Sequence, residues 1–305
     1  MKKIAISIGD INGIGLEIAL RAHDEIRKFC KPIYCINKTM LNWGSAMLGI
    51  DIPKKFKIKE CGDVFEIKPG VSTKEAGEFS FDSFITAIAL AKSKKVSAIV
   101  TLPINKSSWS KAGISYKGHT DALADLLNCE TTMMLGCKDM FVALYTHHIP
   151  LKDVSTKIEA KKLSNFLITL SSYIKSKNIA VLGLNPHAGD NGVIGDEDKV
   201  IEEAIKKANK TLKKDIFQGP LVPDTAFSPQ NRKKYNYFVC MYHDQGLAPL
   251  KALYFDESIN ITLNNSITRV SVDHGTAFDK AYKSKKLSLT SYINAVKESL
   301  NCYHN

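Results

Sequence analysis

Three of the eight histidines in this 305-residue chain share one kind of position: His148, His187 and His243 each follow directly on an apolar run. Their separations, 39 and 56 residues, match no short metal-binding pattern, so none carries an assignment alone. A single histidine at a strand end is commonly a hydrogen-bonded structural residue. Three of them at one rim predict a divalent-metal site with an open position, because neutral imidazoles suit zinc and other first-row ions. His147 lies beside His148, and neighbours on a strand face opposite ways, so only one of the two should point at a metal. Asp244 follows His243 and is placed to orient its second ring nitrogen, although the side chain could equally point away.

Anion-binding chemistry is suggested at three further places. Gly9-Asp10-Ile11-Asn12-Gly13-Ile14-Gly15 closes an apolar run and opens a helical one, so its amides could meet an anion. It lacks the spacing of a dinucleotide-binding G-x-G-x-x-G turn and could equally be a tight turn built from small residues. Gly118-His119-Thr120-Asp121 offers an imidazole and a hydroxyl for a phosphate, or Thr120 as a helix cap. Lys251, Asn260 and Arg269 place two cations around an amide shortly after His243, a set suited to a carboxylate or phosphate. The plain alternative is a solvated Lys and Arg.

Short apolar runs closed by polar, Gly- or Pro-containing loops must position these groups: Ile4 to Ile8, Val96 to Leu102, Phe141 to Tyr145, Ile179 to Leu184 and Tyr237 to Met241. Their length and Ile/Val content predict strands buried on both faces of a parallel sheet. Helical spacing runs from about Leu16 to Lys28, Ala76 to Ser93, Ile158 to Ile174 and Glu197 to Leu212, the last with Asp196 as its expected N-cap. Strands alternating with helices predict an α/β fold whose ligands sit beyond the carboxyl ends of the strands. Nearly all the chemically capable residues fall there.

Composition sets outer bounds. Hydrophobic residues make up 44% and charged residues 24%, as in ordinary globular proteins. The net charge of +11 raises nucleic-acid binding as a question. Only four of the 42 basic residues are Arg, however, and the scattered lysines read as a solvated surface. An odd seven cysteines without a C-x-x-C pair predict reduced thiols and a cytoplasmic setting. Asp10 interrupts the first apolar run too early for a signal peptide, and no run is long enough to span a membrane.

Beyond these residue-level readings, the ordered set of Gly9-Asp10-x-x-Gly13-Ile14-Gly15, Gly118-His119-Thr120, His148-Ile149-Pro150-Leu151, Gly183-Leu184-Asn185-Pro186-His187-Ala188-Gly189, Pro223-Asp224-Thr225, Met241-Tyr242-His243-Asp244-Gln245-Gly246 and Ser271-Val272-Asp273-His274-Gly275-Thr276-Ala277 resembles the 4-hydroxythreonine-4-phosphate dehydrogenases of pyridoxal phosphate biosynthesis. The resemblance runs almost end to end. It implies an isocitrate/isopropylmalate dehydrogenase-like fold, two α/β subdomains around a central cleft with a largely parallel sheet. All of 1–305 would form one catalytic chain of two intertwined subdomains, with a boundary that is not readable from sequence. It also implies His148, His187 and His243 as ligands of one divalent ion (Zn, Mg or Co), and His119, Thr120, Lys251, Asn260 and Arg269 as substrate-binding residues. Asp273, His274, Gly275 and Thr276 are similar to the loop with which that dehydrogenase group holds the adenosine part of NAD or NADP. A homodimer with active sites at its interface follows as well, so the ligands need not come from one chain. Where the family carries Pro, this chain has Ile11, which predicts a less rigid opening loop.

The reaction so implied is metal-dependent oxidation of 4-phosphohydroxy-L-threonine to 2-amino-3-oxo-4-(phosphooxy)butanoate, which decarboxylates to 3-amino-2-oxopropyl phosphate. Lys251 and Asp224 are the candidates for proton handling. Three alternatives differ in what they require. A related dehydrogenase of another phosphorylated hydroxy acid needs no ammonium site. A phosphate acyltransferase needs no metal-binding histidines, and a Lys-rich nucleic-acid binder makes the strand-end histidines accidental.

Overall fold

The computed structural model describes residues 1–263, 266–283 and 286–301, and divides the chain into two compact units. One comprises Met1–Thr131 with Ile259–Asn305; the other is Thr132–Ser258.

The first unit opens with β1 (Lys3–Ser7), α1 (Gly15–Ile26), β2 (Lys31–Cys35), α2 (Lys38–Leu48), β3 (Lys57–Lys59), α3 (Lys74–Lys92), β4 (Ala98–Thr101), α4 (Lys106–Lys111) and α5 (His119–Leu127). The second contains β5 (Thr132–Cys137), β6 (Met140–Leu144), α6 (Ala160–Tyr173), β7 (Ile179–Leu182), α7 (Glu197–Leu212), β8 (Phe217–Leu221), α8 (Pro229–Lys234), β9 (Tyr237–Cys240) and α9 (His243–Tyr254). The chain then returns to the first unit with β10 (Ile259–Leu263), β11 (Arg269–Val272) and α10 (Thr290–Ser299).

In the first unit the strand order is β3-β2-β1-β4-β11-β10, all parallel except β10, which runs antiparallel to β11. In the second it is β5-β6-β9-β7-β8, where β5 runs antiparallel to β6 and the rest are parallel. Strands β1 and β4 are apolar on both faces because helices cover both, as the continuous Ile/Val runs require. The two antiparallel pairs arise where the connection is too short for a crossover; Lys138 and Asp139 alone join β5 to β6.

The five expected strands and four expected helices are all present, and no end is shifted by more than two residues. Helix α3 starts where the side chain of Thr73 accepts from the Ala76 amide at 3.1 Å. Asp196 does occupy the N-cap of α7 but makes no capping bond; its Oδ1 pairs with Lys199 at 2.7 Å instead. The core of the first unit gathers around the fully buried Trp109 with Phe84, Ile99 and Leu123. Trp109 also donates its Nε1–H to Ser80 Oγ at 2.8 Å, which satisfies the one polar atom of its ring. Val142, Leu182, Phe238 and Leu250 lie at the core of the second unit.

Candidate functional site

Register explains the side-chain cluster around Arg269 in the first unit. Arg269 is paired with Ile99 on β4 and with Thr262 on β10, and Thr101 lies two residues beyond Ile99 on the same face. The Arg269 guanidinium, buried at 3% exposure, donates to Thr101 Oγ1 from Nε at 3.2 Å and from Nη2 at 2.9 Å. Its Nη1 donates to Thr262 Oγ1 at 2.8 Å and to Thr120 Oγ1 at 3.3 Å. Among the described residues no carboxylate pairs with it; its partners are hydroxyls. Burial pushes its pKa down to about 9, which leaves it charged at neutral pH. A buried cation balanced only by hydroxyl dipoles is a strong attractor for an anion.

His119 sits beside this cation at the start of α5, its ring edge-on to Phe84 (4.7 Å) and Trp109 (5.5 Å). Burial, and then the Arg269 charge, hold it well below the usual imidazole range, so it is neutral. Its Nε2 is buried without a hydrogen-bond partner, a polar atom left for a ligand. Thr120 makes no cap, since Gly118 stands at the N-cap; its hydroxyl lies between Thr262 and Arg269 instead. Asn260, on β10, likewise has a buried Oδ1 that lacks a partner.

Loop 273–276 packs on the opening loop. The Ile14 amide donates to Thr276 O at 3.1 Å, and a Cβ on Gly13 would stand 2.9 Å from the Thr276 Cβ. Asp10 at the turn of that loop is fully buried; it accepts from Ser108 Oγ at 2.7 Å and from the Asn12 amide at 3.0 Å. Burial outweighs both bonds and lifts its carboxyl to about 6.

In the second unit the histidines lie beyond neighbouring strands: His147 and His148 past β6, His243 past β9 and His187 past β7. The rings of His148 and His243 stand 5.6 Å apart. His243 Nδ1 is 2.7 Å from Asp244 Oδ1, which leaves Nε2 for a ligand. This is the carboxylate–histidine pairing that orients metal ligands. Because β6 ends at Leu144, strand alternation does not separate His147 from His148. His148 is exposed with φ +51°, while His147 is half-buried, 5.2 Å ring to ring from His148. Burial, and then the two other histidines, lower the His147 pKa, and its Nδ1 is buried without a partner.

His187 opens an unusual turn. Five consecutive residues, His187 to Asn191, have positive φ (43° to 78°), and only Gly189 among them lacks a Cβ. Left-handed backbone costs roughly 1–2 kcal/mol per non-glycine residue, so the turn must be held in place. Asp198 in the first turn of α7 anchors the segment that leads into it. Its Oδ1 accepts from the Leu184 amide at 2.8 Å, and its Oδ2 from Asn185 Nδ2 at 2.9 Å and the Asn185 amide at 3.2 Å. His187 is exposed and makes no ring contact with the other two. Among the described residues no three His, Cys, Asp or Glu side chains form a ready metal cage. Two imidazoles come together, and the third lies at the neighbouring strand end.

Lys251 lies on α9 with Nζ 5.4 Å above the Phe255 ring, and Asp224 is exposed in the turns after β8. Sequence reasoning assigned no role to Thr101, Thr262, Thr146, Asp198 or Gln245. Gln245 lay inside a quoted motif, whereas the threonines gave no signal, because their use depends on register between strands distant in sequence.

These sites stand on an α/β fold with a large, mostly parallel sheet of the isocitrate/isopropylmalate dehydrogenase-like type. The chain belongs to the family of the pyridoxal phosphate biosynthetic protein PdxA, which matches residues 28–299. It is 56% identical over 298 residues to a 4-hydroxythreonine-4-phosphate dehydrogenase of Sulfurimonas denitrificans, covering 98% of this chain and 97% of that one. The enzyme of the same name from Campylobacter fetus subsp. fetus is 57% identical over 298 residues, with 97% of each chain covered. Among solved structures, a 4-hydroxythreonine-4-phosphate dehydrogenase from Burkholderia phymatum superposes with a TM-score of 0.82 at 30% identity, covering 99% of this chain and 98% of that one.

Proposed function

We propose that the chain oxidises 4-phosphohydroxy-L-threonine with NAD (or NADP) to 2-amino-3-oxo-4-(phosphooxy)butanoate, which loses CO₂ to give 3-amino-2-oxopropyl phosphate for pyridoxal phosphate synthesis. The observation that carries this reading is the buried Arg269 guanidinium, bonded to three threonine hydroxyls and to no carboxylate among the described residues. Such a group is built for an anionic ligand. Neutral His119 beside it can donate or accept a hydrogen bond without adding charge, and the unpartnered Nε2 of His119 and Oδ1 of Asn260 supply polar contacts. Thr120 and Lys251 complete the proposed substrate-binding set.

The donor set at His148 and His243 fits a divalent ion: two imidazoles lie side by side and one is oriented by a carboxylate. His187, from this chain or from a second copy, would be the third ligand. Imidazole nitrogen favours zinc or cobalt over magnesium. When bound, the ion would supply Lewis-acid polarisation of the substrate hydroxyl, and the dinucleotide would accept hydride. Lys251 and Asp224 would handle the hydroxyl proton, and Asp273, His274, Gly275 and Thr276 would hold the adenosine end of the dinucleotide.

We further propose a homodimer with active sites completed at the subunit interface. The exposed apolar side chains Ile149, Leu151, Val193 and Ile194 flank the His148 and His187 loops and would be covered by the second copy. A cytoplasmic setting is supported by the six described cysteines, all free thiols. No described helix is long and apolar enough to cross a membrane.

Comparing NAD reduction on 4-phosphohydroxy-L-threonine with that on a phosphorylated hydroxy acid lacking the amino group tests the substrate assignment. A kcat/KM at least about 100-fold higher with the amino acid is expected, since a site built to bond a polar group rejects the analogue that lacks it. Equal or better turnover of the amino-free acid would replace the assignment with a dehydrogenase of that acid.

A further inference from the structure

Strands β7 and β9 pair in register through Val181 and Val239, and the loops that leave them carry His187 and His243. Beyond that pair a side chain stands between the strand ends. Gln245, buried in the first turn of α9, accepts from the Met241 amide through Oε1 at 2.7 Å and donates through Nε2 to Gly183 O at 2.8 Å. The amide orientation is fixed by its partners, because Met241 N–H can only donate and Gly183 C=O can only accept.

The bridge extends further in both directions. Met241 O accepts from Thr146 Oγ1 at 2.7 Å and from the Thr146 amide at 3.2 Å, so the Met241 peptide ties β6 to β9. On the far side Asp198 grips the two amides that follow Gly183. The chain Thr146–Met241–Gln245–Gly183 thus links the three strand ends that carry His147 and His148, His243 and His187. Each tie point lies one to four residues from a histidine. Gly246 permits the arrangement: a Cβ there would stand 2.9 Å from Cys240 Sγ, so its absence lets α9 sit close enough for a glutamine to reach both peptides.

We infer that Gln245 is a positioning residue that sets the spacing of the His187 and His243 loops and thereby the affinity of the site for a divalent ion. This rests on the reading of His148, His187 and His243 as ligands. A glutamine that merely satisfied its own helix would bond within α9; this one bonds to two different strand ends, each just before a histidine loop.

The test uses the full-length protein and its Gln245→Met and Gln245→Glu variants. Each is titrated with Co²⁺ while the visible absorption of the ion is followed. Hydrogen exchange of residues 183–193 is measured without metal. Methionine keeps the volume and loses both bonds; glutamate keeps the Met241 bond and sets an oxygen against the Gly183 carbonyl. Both variants are expected to bind Co²⁺ about 10- to 100-fold more weakly, the usual loss when a supporting partner of a ligand is removed. Both should also exchange faster at 183–193 while α6 and α7 keep their protection. A folded Gln245→Met with wild-type cobalt affinity and spectrum would overturn the inference, as would full affinity in Gln245→Glu, which would limit the role to Met241. Should Gln245→Met not fold, Gln245→Glu carries the same comparison. If the unsubstituted protein takes up no cobalt, the ligand reading fails by itself. Unchanged exchange at 183–193 in the variants would then overturn the bridging role separately.

Discussion

Asp244 Oδ1 stands 2.7 Å from His243 Nδ1, so a carboxylate one residue away fixes which ring nitrogen of His243 faces outward. The Asp244 side chain is 82% exposed, so the pair contributes little to folding. On the proposed reading of His243 as a metal ligand, its consequence lies in orienting that ring. Asp244→Ala should weaken zinc binding about 10- to 100-fold while the unfolding midpoint stays close to that of the unsubstituted protein. Competition with a chromophoric chelator measures the first, and urea unfolding the second. Unchanged zinc affinity would remove Asp244 from the site.

Arg269 offers a different test, because its fork is held by hydroxyls rather than by a countercharge. Thr101 Oγ1 alone takes two of its donors. Thr101→Val keeps the shape and strands both N–H groups, which should cost about 1–3 kcal/mol of stability in urea unfolding. Arg269→Lys keeps the charge and loses the planar fork. Its KM for the phosphorylated substrate should rise about 10- to 100-fold, with kcat changed less. A KM within twofold of the unsubstituted enzyme would mean that Arg269 is not the anion-binding group.

Much of this architecture was legible because buried parallel strands announce themselves as apolar runs. Val96 to Leu102 and Ile179 to Leu184 were found within a few residues of their ends. The partner of His243 was legible only as one of two options: adjacency offered Asp244, and it is the structure that turns its carboxylate towards the ring. What could not be read was register. Thr101 and Thr262 meet Arg269 only because β4, β11 and β10 lie side by side, and nothing local to a threonine signals that. The left-handed turn at His187 to Asn191 was equally hidden, because it runs against the preference of four non-glycine residues and follows a segment anchored by Asp198 from the next helix. The rings of His148 and His243 lie 5.6 Å apart, while His187 leaves the neighbouring strand β7 and makes no ring contact with either.

Asp10 gives a pH-dependent expectation with a definite sign. Burial raises its carboxyl from 3.8 to about 6, so the folded protein keeps the proton to higher pH than the unfolded chain does. Stability from this group is therefore fullest below pH 4 and falls as pH rises towards and past 6, by an amount on the order of 2–3 kcal/mol. Asp10→Asn retains an acceptor for the Asn12 amide and a donor for Ser108 Oγ without the buried charge. It should be more stable than the unsubstituted protein by about 1–3 kcal/mol at pH 8, with the difference shrinking towards pH 4.5. Urea midpoints at the two pH values decide it, and a difference independent of pH would contradict the burial argument.

The most direct measurement is the formation of reduced nicotinamide from NAD and 4-phosphohydroxy-L-threonine by the full-length protein, before and after removal of divalent ions with a chelator. Turnover is expected to vanish on chelation and to return with added zinc or cobalt, and His243→Ala should not recover under the same treatment. Undiminished turnover in protein shown to be free of metal, or in His243→Ala, would contradict a metal-dependent dehydrogenase built on these histidines.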